Sequence, residues 1–276
     1  MPGRRVWRTL GSLLSHLILI IASLSVLLPI LWVLRTSLVT RYIAYKIPPV
    51  WLPALTLENY RRIFEMYPFQ DYFVNSTVVA VASTALALVL GSLAAYSFAR
   101  FRTGGNFLRL SILSTQMLPA ITLVIPFFLL ARLAGLWDTH LLLVLAYLSF
   151  NLPYTIWTLV GFFQSIPVEL DEAALIDGCS RFQAFVKIVV PVSLPGLLAA
   201  GVLNFILCWN EFMFALILTG RNARTMPVAI SSLWTQQGVL IGAVCAATIL
   251  VITPVVIMTF FVQRFLVRSL TFGAVK

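Results

Sequence analysis

Apolar residues fill this chain in long runs, with short polar segments between them. Stretches such as "LLSHLILIIASLSVLLPILWVL" and "ATILVITPVVIMTFFV" contain no charged residue. About 20 consecutive apolar residues suffice to cross a bilayer core as a helix. Six stretches meet that measure, at about 13–34, 73–99, 107–130, 139–163, 194–218 and 239–263. The pattern therefore predicts an all-α integral membrane protein, a single transmembrane domain over residues 1–276. The first run follows "MPGRRVWR", which resembles the start of a signal peptide. It is longer than a signal-peptide core and no A-x-A cleavage pattern follows, so it is read as a retained span.

Six spans put both ends of the chain on one side. Arg and Lys are more frequent in the segments that an inner N-terminus places inside, among them Arg100, Arg102, Arg109, Arg181 and Lys187. The expected orientation is N-in/C-in. The outer loop at 35–71 is the only long one. Its prolines and aromatics predict a folded cap with a short helix around Leu57–Phe64, capped by Thr56. It is too short to form a ligand-binding domain alone. Prolines also recur within the spans, and kinks are expected at Pro119 and Pro153. In the sixth span Gly242, Ala243, Ala246 and Ala247 make a small-residue face for close packing.

Composition narrows the function classes. The chain is 61% hydrophobic and 10% charged, where a soluble domain carries about 25% charged residues. In a soluble protein a net charge of +10 would fit nucleic acid. Here the basic residues flank spans, so membrane lipid is the expected surrounding and nucleic acid is not an expected partner. Cys179, Cys208 and Cys245 lie far from one another and from His16 and His140, so neither a metal site nor a disulfide is expected. No lysine follows a glycine, which rules out a G-x-x-x-x-G-K-[ST] phosphate cradle. No set of catalytic side chains is apparent, and no cofactor is expected in this chain.

The acidic residues break the monotony. The chain has nine, and Glu169, Asp171, Glu172 and Asp177 fall together in "ELDEAALIDGCSRFQAFVKIVVP", within an inner loop at 164–193. Three of these acids lie in the first turns of a predicted helix, where its dipole favours negative charge. Leu170, Ala173 and Ala174 make an apolar, small-residue face. Gly178 suits the position that ends the helix. Ser180 and Gln183 have capping-box spacing for a second helix, with Phe182, Phe185, Val186 and Val189 as its apolar stripe and Pro191 as its end. The expectation is a helix–turn–helix elbow on the cytoplasmic side. An acidic helix is poorly suited to a negatively charged inner leaflet, which points to a protein partner rather than a membrane-lying hairpin.

In this elbow, "EAALIDG" followed by "IVVP" is similar to the EAA loop of ABC importer permeases. That pattern is E-A-A, three residues, G, nine residues, I-x-L-P. Glu172, Ala173, Ala174, Gly178, Ile188 and Pro191 match it, and Val190 stands where leucine is usual. "LTLENYRRIF", "GLWDTHLLLVL", "WNEFMFALILT" and "MPVAI" resemble the sugar-type branch, exemplified by the second permease of maltose-type importers. The resemblance implies a non-enzymatic half-transporter in the bacterial cytoplasmic (inner) membrane, moving a sugar or sugar-like polar solute by alternating access. Its implied partners are a second homologous permease or a copy of itself, two ATP-binding cassette subunits that hold ATP and Mg, and an extracytoplasmic solute-binding protein. It further implies that Glu169, Asp171, Glu172, Ala173, Ala174, Asp177, Gly178, Ile188 and Pro191 couple the chain to the ATPase. In that set Glu172 faces a basic or polar group and Gly178 is the hinge. Glycerol-phosphate-type or nucleoside-like solutes are the alternative cargo, and a non-transporting scaffold or sensor is the alternative class.

The fifth span places Asn204, Cys208 and Glu211 at helical spacing on one face. Charged groups in a bilayer seldom face lipid. Asn210 and Glu211 line the translocation path or brace two permeases against each other. Trp209 contacts sugar or belongs to the interfacial belt. Asn151, beside Pro153, suits a helix bordering a polar path.

Overall fold

The structure, a computed structural model, describes residues 3–235 and 238–271; Met1 and Pro2 of the basic leader lie outside that range. In chain order, the long α1 (Gly3–Ser37) is followed by the short α2 (Arg41–Ala44) and α3 (Glu58–Met66), then by α4 (Phe69–Phe101). Next come α5 (Gly105–Ser114), α6 (Ala120–Leu133) and α7 (His140–Ser165). After α8 (Glu169–Ile176) and α9 (Arg181–Ala184), a π turn over Phe185–Val189 and α10 (Val190–Val192) lead into α11 (Leu194–Trp209). The chain continues through α12 (Met213–Leu218) and α13 (Met226–Ser231). A two-residue antiparallel pairing of β1 (Trp234–Thr235) with β2 (Gly238–Val239) then precedes α14 (Ile241–Thr271).

Among the described residues four helices are long and apolar enough to cross a membrane, and two bent helix pairs raise the number to six if each pair is one span. The chain divides into two compact units. The first comprises Met1–Pro68 and Ser232–Ile252. Within it α1 is exposed and apolar on every side over residues 11–31, a surface suited to hydrocarbon rather than water. The Asn59 amide on α3 donates to the carbonyls of Ser37 and Val39 at 2.9 and 2.7 Å. The hydroxyls of Tyr60 and Ser37 meet at 2.9 Å. These bonds fasten α3 to the chain leaving α1. The start of α14 passes so close that a Cβ on Gly242 would stand 2.6 Å from Asn59 Oδ1. Of the predicted small-residue face, Ala243, Ala246 and Ala247 are buried. The cap helix begins at Glu58, and Leu57 rather than Thr56 holds the N-cap position. Thr56 instead accepts the Glu58 N–H at 3.2 Å.

The second unit comprises Phe69–Ser231 and Thr253–Lys276. Its core lies where α4, α7 and α11 meet, and Tyr96, Leu159, Phe163, Phe185 and Val189 belong to one buried cluster. Gly91 permits the close crossing of α4 and α7, since a Cβ there would stand 2.6 Å from the Thr155 methyl.

Two stretches predicted as single spans are broken. In 107–130 a 3-10 turn over Thr115–Met117 ends in an extended Leu118 (ψ 128°) before Pro119. Pro119 lacks an N–H and disfavours helical geometry in the residue before it. The two flanking segments are bent by 91°. In 194–218 the helix stops at Trp209 and restarts at Met213. Pro153, where a kink was expected, sits inside an unbroken α7. Pro191 does not close the second elbow helix, which runs on to Val192 and then bends by 78° into α11. The π turn just before it is a wide-ring accommodation of the kind that tolerates a missing donor. The Ser193 hydroxyl donates to the carbonyls of Val189 and Val190 at 2.6 and 3.2 Å, bonding the turn at the bend.

Candidate functional site

The elbow is built from local signals. Glu169, Asp171 and Glu172 stand in the first turn of α8. Gly178 terminates the helix in the left-handed region, at φ +83°. The Cys179 N–H donates to Ala174 O at 3.0 Å, and the Gly178 N–H to Leu175 O at 3.1 Å. These bonds close the last turn, as a glycine C-terminal cap does. A full capping box then opens α9: Ser180 Oγ accepts from the Gln183 N–H, and Gln183 Oε1 accepts from the Ser180 N–H at 2.8 Å. Of the four residues in the predicted stripe, Phe185 and Val189 are buried, whereas Phe182 and Val186 are exposed.

The coupling residues do not share one surface. Glu169, Glu172, Ala173, Asp177 and Gly178 are exposed, together with Pro191, and Ile188 is half-buried. Ala174 and Asp171 turn inward. Asp171 is therefore not a contact residue on the elbow's open face: it is 7% exposed and bonded within its own chain. Its Oδ1 accepts from the Tyr96 hydroxyl at 2.8 Å and its Oδ2 from Arg100 Nε at 2.6 Å. The Arg100 guanidinium also donates to Ile166 O at 3.1 Å. Tyr96 and Arg100 are one helical turn apart on α4, so their side chains reach the same acid. The sequence marks Arg100 as one of the basic residues beside a span and does not mark Tyr96. The signal lay in that spacing near the C-terminal end of an apolar run, facing a loop that holds four of the chain's nine acids. Beside the ion pair is a cavity of about 130 Å³. Glu172 and Arg181 border it, and the Arg181 guanidinium lies over the Phe101 ring.

The residues predicted for the path are mostly interior. Asn151 and Asn204 are fully buried. The Asn151 amide donates to Cys208 Sγ, and the Asn204 amide to Thr155 Oγ1, each at 2.6 Å. Thr155 donates in turn to Asn151 O at 2.7 Å. These bonds make a polar layer between α7 and α11. Trp209 is 1% exposed, stacked on Phe205 and edge-on to Phe73; it is neither a belt residue nor an open platform. Asn210 is exposed, with its amide on Ile206 O. Glu211 does not continue the face of Asn204 and Cys208, because α11 has ended. Its carboxylate accepts the N–H groups of Phe214 and Ala215 at 2.9 and 3.1 Å, satisfying free donors at the start of α12.

A second carboxylate orders the chain between α12 and α13. Asp138, just before α7, accepts from the N–H groups of Gly220 and Ala223 on Oδ1, and from those of Arg221 and Asn222 on Oδ2, at 2.8–3.0 Å. Burial pushes this carboxyl up, but the four backbone bonds prevail and hold it below its ordinary value. The Asn75 amide donates to the carbonyls of Asn222 and Arg224, while its Oδ1 is bonded to His140 Nε2 at 2.7 Å. Ser76 Oγ accepts the Met226 N–H at 2.8 Å. Among the described residues no group of His, Cys, Asp and Glu could hold a metal.

A bent acidic elbow is thus braced against a bundle of long apolar helices. The family of binding-protein-dependent transport system inner membrane components matches residues 87–272, and the chain belongs to that family. It is a multi-pass inner-membrane subunit, not an enzyme. Over 254 residues it is 39% identical to the trehalose transport system permease protein SugB of Mycobacterium tuberculosis, covering 91% of this chain and 92% of the relative. It is 38% identical over 269 residues to the probable ABC transporter permease protein y4oR of Sinorhizobium fredii, covering 98% and 97%. A bacterial ABC transporter involved in importing the acidic polysaccharide alginate shares the fold. That likeness has a TM-score of 0.77 at 22% identity, across 92% of this chain and 96% of the other.

Proposed function

We propose that this chain is the permease half of an ATP-driven importer of a sugar or sugar-like polar solute. In this reading six spans, with both termini inside, form one transmembrane domain. The long loop at 35–71 then faces outward and the elbow lies in the cytoplasm. The elbow docks on a separate nucleotide-hydrolysing subunit, which holds the ATP and Mg. A second permease and an extracytoplasmic binding protein complete the assembly.

The observation that carries the reading is the exposed face of α8. Glu169, Glu172, Ala173 and Asp177 point away from their own chain, although the helix is fixed at its base by Asp171. A short acidic helix anchored at its first turn, with Ala173 on its open side, suits a close fit into a partner's cleft. The trehalose named for one relative supports a sugar cargo.

The test is reconstitution of the permeases, ATPase and binding protein in vesicles, with uptake of trehalose, maltose and glycerol 3-phosphate measured against ATP. A cysteine replacing Glu172 is expected to cross-link to the ATPase. Gly178→Asp is expected to abolish uptake while ATP hydrolysis persists. No cross-link together with full uptake by Gly178→Asp would sink the reading.

A further inference from the structure

We propose that the Tyr96–Arg100–Asp171 cluster is the strut by which movement of the elbow reaches the membrane helices, with Asp171 as its positioning residue. This rests on the coupling reading above and adds the route that force takes inside the chain.

The geometry sets this cluster apart. Three ion pairs join described side chains. Two are exposed i, i+4 pairs within α3, Arg61 with Glu65 and Arg62 with Glu58. The third, Arg100 with Asp171, spans 71 positions of sequence, with side chains only 6% and 9% exposed. Exposed pairs of the first kind contribute little, whereas breaking one partner of a buried pair leaves an uncompensated charge. Both Asp171 oxygens are engaged, each by a different α4 side chain. The same guanidinium holds Ile166 O, just past the end of α7. Arg100 thus ties together the end of α7, the first turn of α8 and the inner end of α4. The Tyr96 ring continues the linkage into the core, 4.8 Å from Phe185 and 6.3 Å from Phe163 between centroids. Gly178 lies on the far side of α8 from this anchorage. Its left-handed turn is closed by the bonds of the Gly178 and Cys179 N–H groups to Leu175 O and Ala174 O, and nothing lies within 4 Å of its Cβ position. The elbow is therefore held at its α8 root by Asp171, and beyond Gly178 it is held again by Phe185 and Val189 in the core. A push on the exposed acids is delivered to α4, which packs closely on α7 at Gly91.

The experiment places nitroxides at Ile176 on α8 and Val89 on α4, 86% and 59% exposed, with Cys179, Cys208 and Cys245 replaced by serine. The assembled complex is studied in nanodiscs, with an ATPase that binds but does not hydrolyse ATP, so that no solute is needed. In the otherwise native chain, the label separation is expected to stay constant on addition of MgATP. In Asp171→Asn it is expected to match the native value without nucleotide and to shift or broaden with MgATP, as α8 moves without α4. Asp171→Glu, which keeps the charge, is expected to restore the constant separation. If Asp171→Asn does not assemble, Tyr96→Phe replaces it, with a smaller nucleotide-dependent broadening expected. A separation that changes with MgATP in the native chain overturns the proposal. So does a separation indifferent to nucleotide in the variant, or one shifted equally in both nucleotide states, as a purely structural pair would give. Cross-linking of the elbow to the ATPase, measured in the same complexes, separates the two readings. Its absence removes the coupling reading, whereas its presence with an indifferent Asp171 variant removes only the strut.

Discussion

Replacing Asp138 by alanine withdraws one acceptor from four backbone N–H groups. Each bond to a charged acceptor contributes about 1.5–3 kcal/mol net, but the four do not add. Arg221 and Asn222 are exposed, so their N–H groups turn to water. Ala223 is buried and its N–H is left without a partner. The loss is then that of one or two bonds, about 3 kcal/mol. For a chain of this size that lowers the unfolding temperature by about 6–12 °C. Asp138→Asn keeps one oxygen for one pair of donors but turns an NH₂ toward the other pair, and it is expected to lose nearly as much. The folded-state pKa is depressed below its ordinary 3.8. The stabilisation is therefore complete above that value and lost as pH falls through the lower folded value. Thermal unfolding of the purified complex in nanodiscs, followed by tryptophan fluorescence, reads both effects. Native and Asp138→Asn proteins are expected to differ at pH 7 and to converge as pH is lowered below 3.8. Equal unfolding temperatures at pH 7, or a gap that does not narrow with acid, would refute the reasoning.

Three further outcomes follow from named contacts. Gly91→Ala brings a Cβ within 2.6 Å of Thr155 Cγ2 and is expected to destabilise by about 1–3 kcal/mol. Adding Thr155→Ser removes that methyl and keeps the oxygen that binds Asn204, but leaves the residue-155 Cβ 2.9 Å from the new methyl, so it should recover part of the loss in the same unfolding assay. Gly178→Ala meets no neighbour but must hold a left-handed backbone at about 1–2 kcal/mol, so hydrogen exchange of the α8 amides should quicken about tenfold. Asn204→Leu breaks a bond in a fully buried layer and is expected to leave the ranking of transported solutes unchanged; an altered ranking would return Asn204 to the translocation path.

What the sequence made legible follows range. The long apolar runs announce helices because hydrocarbon leaves no other use for their backbone groups. The elbow was equally plain, since Gly178, Ser180 and Gln183 act on neighbours within a few positions. Prolines were harder to weigh. Pro119 breaks its run and Pro153 does not, and the residue alone does not distinguish a site where neighbours absorb the missing donor from one where they do not. Pro191 misled for the same reason, its helix carrying on beyond a π turn. Charged residues misled where a distant partner decided their direction. Asp171 looks like one more acid in an acidic helix until Arg100 is brought beside it. Glu211 matches a helical face in spacing, yet serves the start of the next helix because the chain has turned.

The separation between Arg100 and Asp171 along the chain also orders events during synthesis. When α4 leaves the ribosome, its anionic counterpart is still 71 residues from being made. Until then the guanidinium has no carboxylate beside it, and a lone cation at the end of an apolar helix favours water over hydrocarbon and so anchors that end of the helix. Only after α7 and α8 have been made does that anchor acquire a mate and become buried. One side chain thus serves insertion first and architecture later, and a chain arrested between the two would carry an exposed cation where the finished protein has a sealed joint.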